Sequence, residues 1–189
     1  MDIKFRTLNY QLAATQAVVN CFIGQSKSDG NRYMLDKGKR KTNNSLQIDF
    51  INDQQGETYT DIAFGNAPIQ DMDRVLSNVQ EQQLAAGLAR SETLVVDDNG
   101  KGKNLTSSQL NLNIEMETGT GKTYCYIRTM FELNKQYGWS KFIIVVPSIA
   151  IREGVYKSLE MMADHFHQIY QKKARFFIYD SKALHHLES

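Results

Sequence analysis

The run Met116-Glu117-Thr118-Gly119-Thr120-Gly121-Lys122-Thr123 gathers the groups needed to hold a polyphosphate. Gly119 and Gly121 permit a tight turn that aims backbone N–H groups at an anion, and Thr118 and Thr120 contribute their amides to the same loop. Lys122 supplies a cation for the β- and γ-phosphates, the candidate catalytic charge, and the Thr123 hydroxyl is the candidate ligand for Mg²⁺. A helix opening after Gly121 puts the positive end of its dipole behind the bound anion. The strict pattern opens with a glycine where this chain has Met116. The inner Thr-Gly-Thr-Gly-Lys-Thr is intact, so the expected ligand is ATP or GTP with Mg²⁺.

Such a loop works only between a strand and a helix, and the sequence provides both. Residues 110–116 read as a short strand, and Gly121 to about Gln136 reads as a helix. Lys-Phe-Ile-Ile-Val-Val at 141–146 is a nearly continuous apolar run, as expected of a parallel strand covered on both faces, and Pro147 ends it. A helix is predicted from Ile149 to Gln171 and a third strand over 175–179. Strand, helix, strand, helix, strand implies a parallel α/β sheet.

Upstream the pattern is looser. Leu12, Ala13, Ala17, Val18, Cys21 and Phe22 recur at three-and-four spacing, which predicts a helix over 9–22, stopped by Gly24. Residues 25–45 read as a solvated loop with a basic cluster at Lys37, Lys39, Arg40 and Lys41. Alternation over 46–51 and 58–64 around Asn52-Asp53-Gln54-Gln55-Gly56 predicts a β-hairpin. A helix is expected over 71–88, with Val75, Leu76, Val79, Leu84 and Leu88 apolar, then a short strand over 93–96 and a turn over 97–103.

The chain has 189 residues, 41% of them apolar and 10% aromatic, enough for one soluble domain with an insertion. A net charge of +1 neither requires nor excludes a nucleic-acid groove. Cys21 and Cys125 lack metal or redox spacing and read as reduced thiols, and no leader or membrane-length apolar stretch is visible, so the expected location is cytoplasmic. His165, His167, His185 and His186 have no further ligand at suitable spacing and read as surface histidines.

The string Met-Glu-Thr-Gly-Thr-Gly-Lys-Thr resembles the Walker A motif of superfamily-two helicase-like motors, and in particular the restriction (Res) subunit of type III restriction–modification systems. Two further segments carry the resemblance. Phe5-Arg6-Thr7-Leu8-Asn9-Tyr10-Gln11-Leu12 lies where such motors place an adenine-reading element, and Ile144 to Val155, with Pro-Ser-Ile-Ala-Ile-Arg-Glu-Gly at its centre, resembles motif Ia. The second of these is the more specific. The resemblance covers roughly residues 1–23 and 105–181 and implies a P-loop (RecA-like) parallel sheet with flanking helices, an incomplete first motor lobe with a hairpin-containing insertion. Residues 1–23 would be the adenine-motif helix, 24–104 the variable insertion and 105–189 the P-loop core.

The roles implied follow residue by residue. Gln11 carries an amide that donates and accepts at once, suited to the adenine edge, with Phe5 or Tyr10 nearby to stack. Ser148 and Arg152 would contact the DNA backbone, Ser148 also serving as a helix cap. The implied partners are double-stranded DNA and the DNA-methylating modification subunit, and no membrane. The acidic box that would hold Mg²⁺ and orient the attacking water does not follow Ile144 in this sequence, so the chain alone is expected to bind nucleotide without turning it over. A non-catalytic P-loop interaction module is the alternative reading. A nucleotide kinase fits less well, because the Pro-Ser-Ile-Ala stretch argues against it and no Arg-rich lid is present.

Overall fold

A computed structural model describes residues 5–27, 31–34, 62–94 and 110–179. The helix α3, Lys122–Tyr137, is the centre of the arrangement because it is apolar on two faces. One face sets Leu133 and Tyr137 against α1, Asn9–Asn20, and α2, Met72–Ala85, in a core with Val19, Cys21, Phe22, Val75 and Leu94. The other sets Tyr124 and Ile127 against Met162 and Phe166 of α4, Ile149–Tyr170. Phe131, Phe166 and Tyr170 stack in series, with neighbouring ring centroids 5.0 and 5.1 Å from Phe131.

Buried polar groups tie the first core together. The Tyr137 hydroxyl donates to the Val19 carbonyl at 3.0 Å, and Asn78 Nδ2 donates to the carbonyls of Cys21 and Ile23 at 3.1 and 2.9 Å. The Asn78 bonds satisfy carbonyls just past the C-terminal end of α1, where the helix supplies no donor. Helix α2 thus shares the core of α1 and α3, although it falls within the segment read from sequence as an insertion. Its Asp71 caps the first turn by accepting from the Arg74 amide at 3.0 Å. Val75 is fully buried and Leu76 and Val79 pack beside it, whereas Leu84 and Leu88 are exposed. Three-and-four spacing identifies a helix but does not say how far along it the partner extends.

The helices among the described residues lie where the sequence placed them, to within a few residues. The strands do not. Residues 110–116, 141–146 and 172–179 carry no sheet pairing among the described residues, so the predicted parallel sheet is absent there. Exposure alternates along 143–146 without a ladder: Ile143 and Val145 are 91% and 88% exposed, while Ile144 and Val146 are half-buried. An apolar run signals a capacity for burial, but a parallel strand exists only when neighbours pair with it and helices cover both faces.

Among the described residues the strand pairing is antiparallel, between β1, Asn31–Met34, and β2, Ile62–Gly65, with Arg32 opposite Phe64. β2 overlaps the second arm of the predicted hairpin. Its partner is a segment expected to be loop, because Asn-Arg-Tyr-Met has no alternation to announce it. The other predicted arm, 46–51, the turn over 97–103, the basic cluster Lys37 to Lys41 and the histidines His185 and His186 lie outside the described residues, as do residues 95 and 96 of the predicted strand 93–96. Thr93 and Leu94 form no strand, and Leu94 is instead buried in the first core.

Candidate phosphate-binding site

The loop between Met116 and α3 turns on two glycines. Gly119 and Gly121 have φ of +83° and +86°, a left-handed backbone that costs a side-chain-bearing residue about 1–2 kcal/mol. Around Gly119 there is open space, so only its backbone conformation demands glycine. At Gly121 space is demanded too, because a Cβ would stand 2.5 Å from Gln11 Nε2.

Gln11 is buried at 8% exposure on α1, and its Nε2 donates to the Thr120 carbonyl at 2.9 Å, joining positions 109 residues apart. Beneath it the Cys125 thiol points at the Gln11 carbonyl, with sulfur and oxygen 3.9 Å apart, and burial pushes that thiol up in pKa. Cys125 is therefore a small buried packing group, as the sequence suggested. Thr120 also folds back, its Oγ1 donating to the Glu117 carbonyl at 2.6 Å. Lys122 is exposed and its Nζ donates to the Met116 carbonyl, spanning the mouth of the loop. Thr118 and Gly119 are exposed and Thr123 half-buried on the first turn of α3. The structure thus brings Gln11 together with Thr120, Gly121 and Cys125. Phe5 instead joins the second core, stacked on Tyr124 at 6.4 Å and tilted against His165 at 4.8 Å, while Tyr10 is exposed.

Ser148 caps α4. Its hydroxyl accepts from the Ile151 amide at 3.3 Å from an extended backbone, while Arg152 pairs with its neighbour Glu153 at 2.9 Å on the surface. These are local contacts, and an exposed pair of this kind contributes little to stability.

Three polar arrangements give no signal in sequence. Tyr124, on the turn after Lys122, receives a hydrogen bond from Arg128 at 2.9 Å and pairs with His165 Nε2 at 3.1 Å. Burial, and then the Arg128 charge, lower the pKa of His165. His165 is accordingly a packed aromatic partner rather than a surface histidine, and no metal-binding group of His, Cys, Asp or Glu occurs among the described residues. The Tyr170 hydroxyl donates to Glu132 at 2.7 Å, with burial and then that carboxylate pushing its pKa up. Asn66, at the end of β2, accepts from the amides of Ser140 and Lys141 at 2.8 and 2.9 Å and donates to the Lys141 carbonyl at 2.7 Å. Tyr124 and Arg128 stand one helical turn apart, but the other partners lie 38 residues or more apart in sequence, too far for spacing to reveal them.

No helix among the described residues is long and apolar enough to cross a membrane. Residues 4–186 match the family described as "Type III restriction enzyme, res subunit". The chain is 35% identical over 108 residues to the Type III restriction-modification enzyme EcoP15I Res subunit of Escherichia coli, covering 56% of this chain and 10% of that one. It is 41% identical over 101 residues to the StyLTI Res subunit of Salmonella typhimurium, covering 49% and 10%, and 42% identical over 69 residues to the EcoPI Res subunit of Escherichia phage P1, covering 35% and 7%. The chain therefore spans at most about a tenth of these relatives by matched length. With the match running over nearly its whole length, the chain belongs to the type III restriction enzyme Res subunit family.

Proposed function

We propose that the loop from Thr118 to Thr123 binds the phosphates of ATP, with Mg²⁺ on the Thr123 hydroxyl, and that the chain is the nucleotide-binding part of a DNA-translocating restriction subunit. The observation that supports this best is the fit of the loop to an anion. Two left-handed glycines turn it at the head of a sixteen-residue helix, and an exposed lysine spans its mouth through a carbonyl contact that a phosphate would displace. Gln11 is held against this loop by its Nε2 and would read adenine through the rest of its amide. Bound Mg²⁺ neutralises developing phosphate charge. The residues of this chain position the phosphates and ligate the ion.

In the parent protein the segments 111–116, 141–146 and 175–179 pair as a parallel RecA-like sheet, and their exposed apolar faces are then covered. Ser148 and Arg152 contact the backbone of double-stranded DNA, and a modification subunit supplies site recognition. The parent couples ATP hydrolysis to movement along DNA and cleaves it.

The test is Lys122→Ala in the intact parent assembled with its modification subunit. ATP hydrolysis and ATP-dependent cleavage are lost while DNA methylation persists. Retention of hydrolysis would refute the assignment. Arg152→Ala, in parallel, lowers the dependence of log DNA affinity on log salt by about 1 if that side chain neutralises one phosphate.

A further inference from the structure

Tyr126 lies three residues beyond Thr123 on α3, and its hydroxyl oxygen is buried without a hydrogen-bond partner among the described residues. A buried hydroxyl left in this state is a cost to the ligand-free fold. Residues three apart on a helix share a face, and helical side chains lean toward the N-terminus. Tyr126 therefore leans back over the turn that carries Thr123. The Tyr126 ring packs against the cluster of Tyr124, Ile127, Met162 and Phe166, which limits its movement away from this position.

A threonine hydroxyl has one proton and two lone pairs. To ligate a cation it must turn a lone pair outward, and a donor on the other lone pair fixes that orientation. We propose that Tyr126 is a positioning residue for Thr123: with Mg²⁺ and nucleotide bound, its O–H donates to Thr123 Oγ1 and holds the remaining lone pair toward the ion. This rests on the reading of the loop as a nucleotide site. It assigns to a side chain outside the phosphate-binding run a share in metal affinity that the backbone cradle does not have.

The experiment is a titration of a fluorescent ATP analogue into chain 1–189, in EDTA and across a Mg²⁺ series, for wild type and Tyr126→Phe. The Mg²⁺ concentration giving half of the gain in nucleotide affinity rises roughly threefold to tenfold in Tyr126→Phe, the equivalent of about one net hydrogen bond. Affinity in EDTA does not change, and the melting temperature of the ligand-free variant is equal or higher because the unpaired hydroxyl is gone. In a Thr123→Ala background, Tyr126→Phe has no further effect on the Mg²⁺ midpoint. An unchanged midpoint, an equal loss in EDTA, or a full effect in the Thr123→Ala background overturns the proposal. Wild-type binding with no response to Mg²⁺ overturns the nucleotide reading itself, a distinguishable result.

Discussion

Gln11 Nε2 donates to the carbonyl of Thr120 at 2.9 Å, so helix α1 holds the glycine loop ahead of α3. The same side chain fills the space a Cβ on Gly121 would need. One amide thus explains a position in the loop and a position far upstream of it.

Gln11→Ala removes this bond and leaves the Thr120 carbonyl without its donor. We expect a loss of about 0.5–1.5 kcal/mol in urea unfolding. The ratio of ATP to GTP affinity falls as well if the amide reads adenine. A stability loss with an unchanged ratio would assign Gln11 to loop support alone.

Gly121→Ala meets both backbone strain and the Gln11 amide, whereas Gly119→Ala meets strain only. Gly119→Ala is expected to cost about 1–2 kcal/mol and Gly121→Ala more. In a Gln11→Ala background the excess at Gly121 shrinks, because the amide it collides with is gone. Equal costs for the two substitutions in the wild-type background would contradict the packing described.

Acid should loosen the junction of α3 and α4. His165 has its pKa lowered below the usual 6.5 by burial and by Arg128, so the unfolded chain takes up a proton more readily than the folded one. This contribution is complete above about pH 6.5 and is lost as pH falls through that value toward the folded pKa. His165→Gln should flatten the pH dependence of stability between pH 7 and 5, measured by chemical denaturation at each pH. A slope that stays the same in the variant would place the titrating group elsewhere.

Asn66 holds the start of the 141–146 segment through three hydrogen bonds. Asn66→Ala should raise hydrogen exchange at the Ser140 and Lys141 amides, by about tenfold for each 1.4 kcal/mol of local stability lost, and leave the α1 amides alone. Uniform loss of protection would mean that the residue supports the whole fold.

The sequence made the helices legible because their order is local. The three-and-four spacing of Leu12, Ala13, Ala17, Val18, Cys21 and Phe22 marks α1, and Ser148 marks where α4 starts. The glycine turn ahead of α3 was legible for the same reason, since Gly119, Gly121 and Lys122 are contiguous with the helix they precede. What escaped was non-local. Asn31–Met34 carries no alternation to announce its pairing with Ile62–Gly65, and the parallel strands expected over 111–116, 141–146 and 175–179 form no ladder among the described residues despite their apolar runs. His165 shows the limit at one residue. It looked like a surface histidine until a helix more than forty residues earlier supplied Tyr124 as its partner.

The most direct test of the central claim is calorimetric titration of ATP with Mg²⁺ into chain 1–189 and into Lys122→Ala. Lys122 is exposed and its one hydrogen bond among the described residues is to a carbonyl of the loop, so the substitution should leave the fold intact. A charged hydrogen bond to phosphate contributes about 1.5–3 kcal/mol, which corresponds to a loss of roughly tenfold or more in affinity. Measurable binding in the wild type that weakens by at least that factor is the result predicted. Measurable binding that is equally tight in Lys122→Ala would contradict the assignment of this loop as the phosphate site.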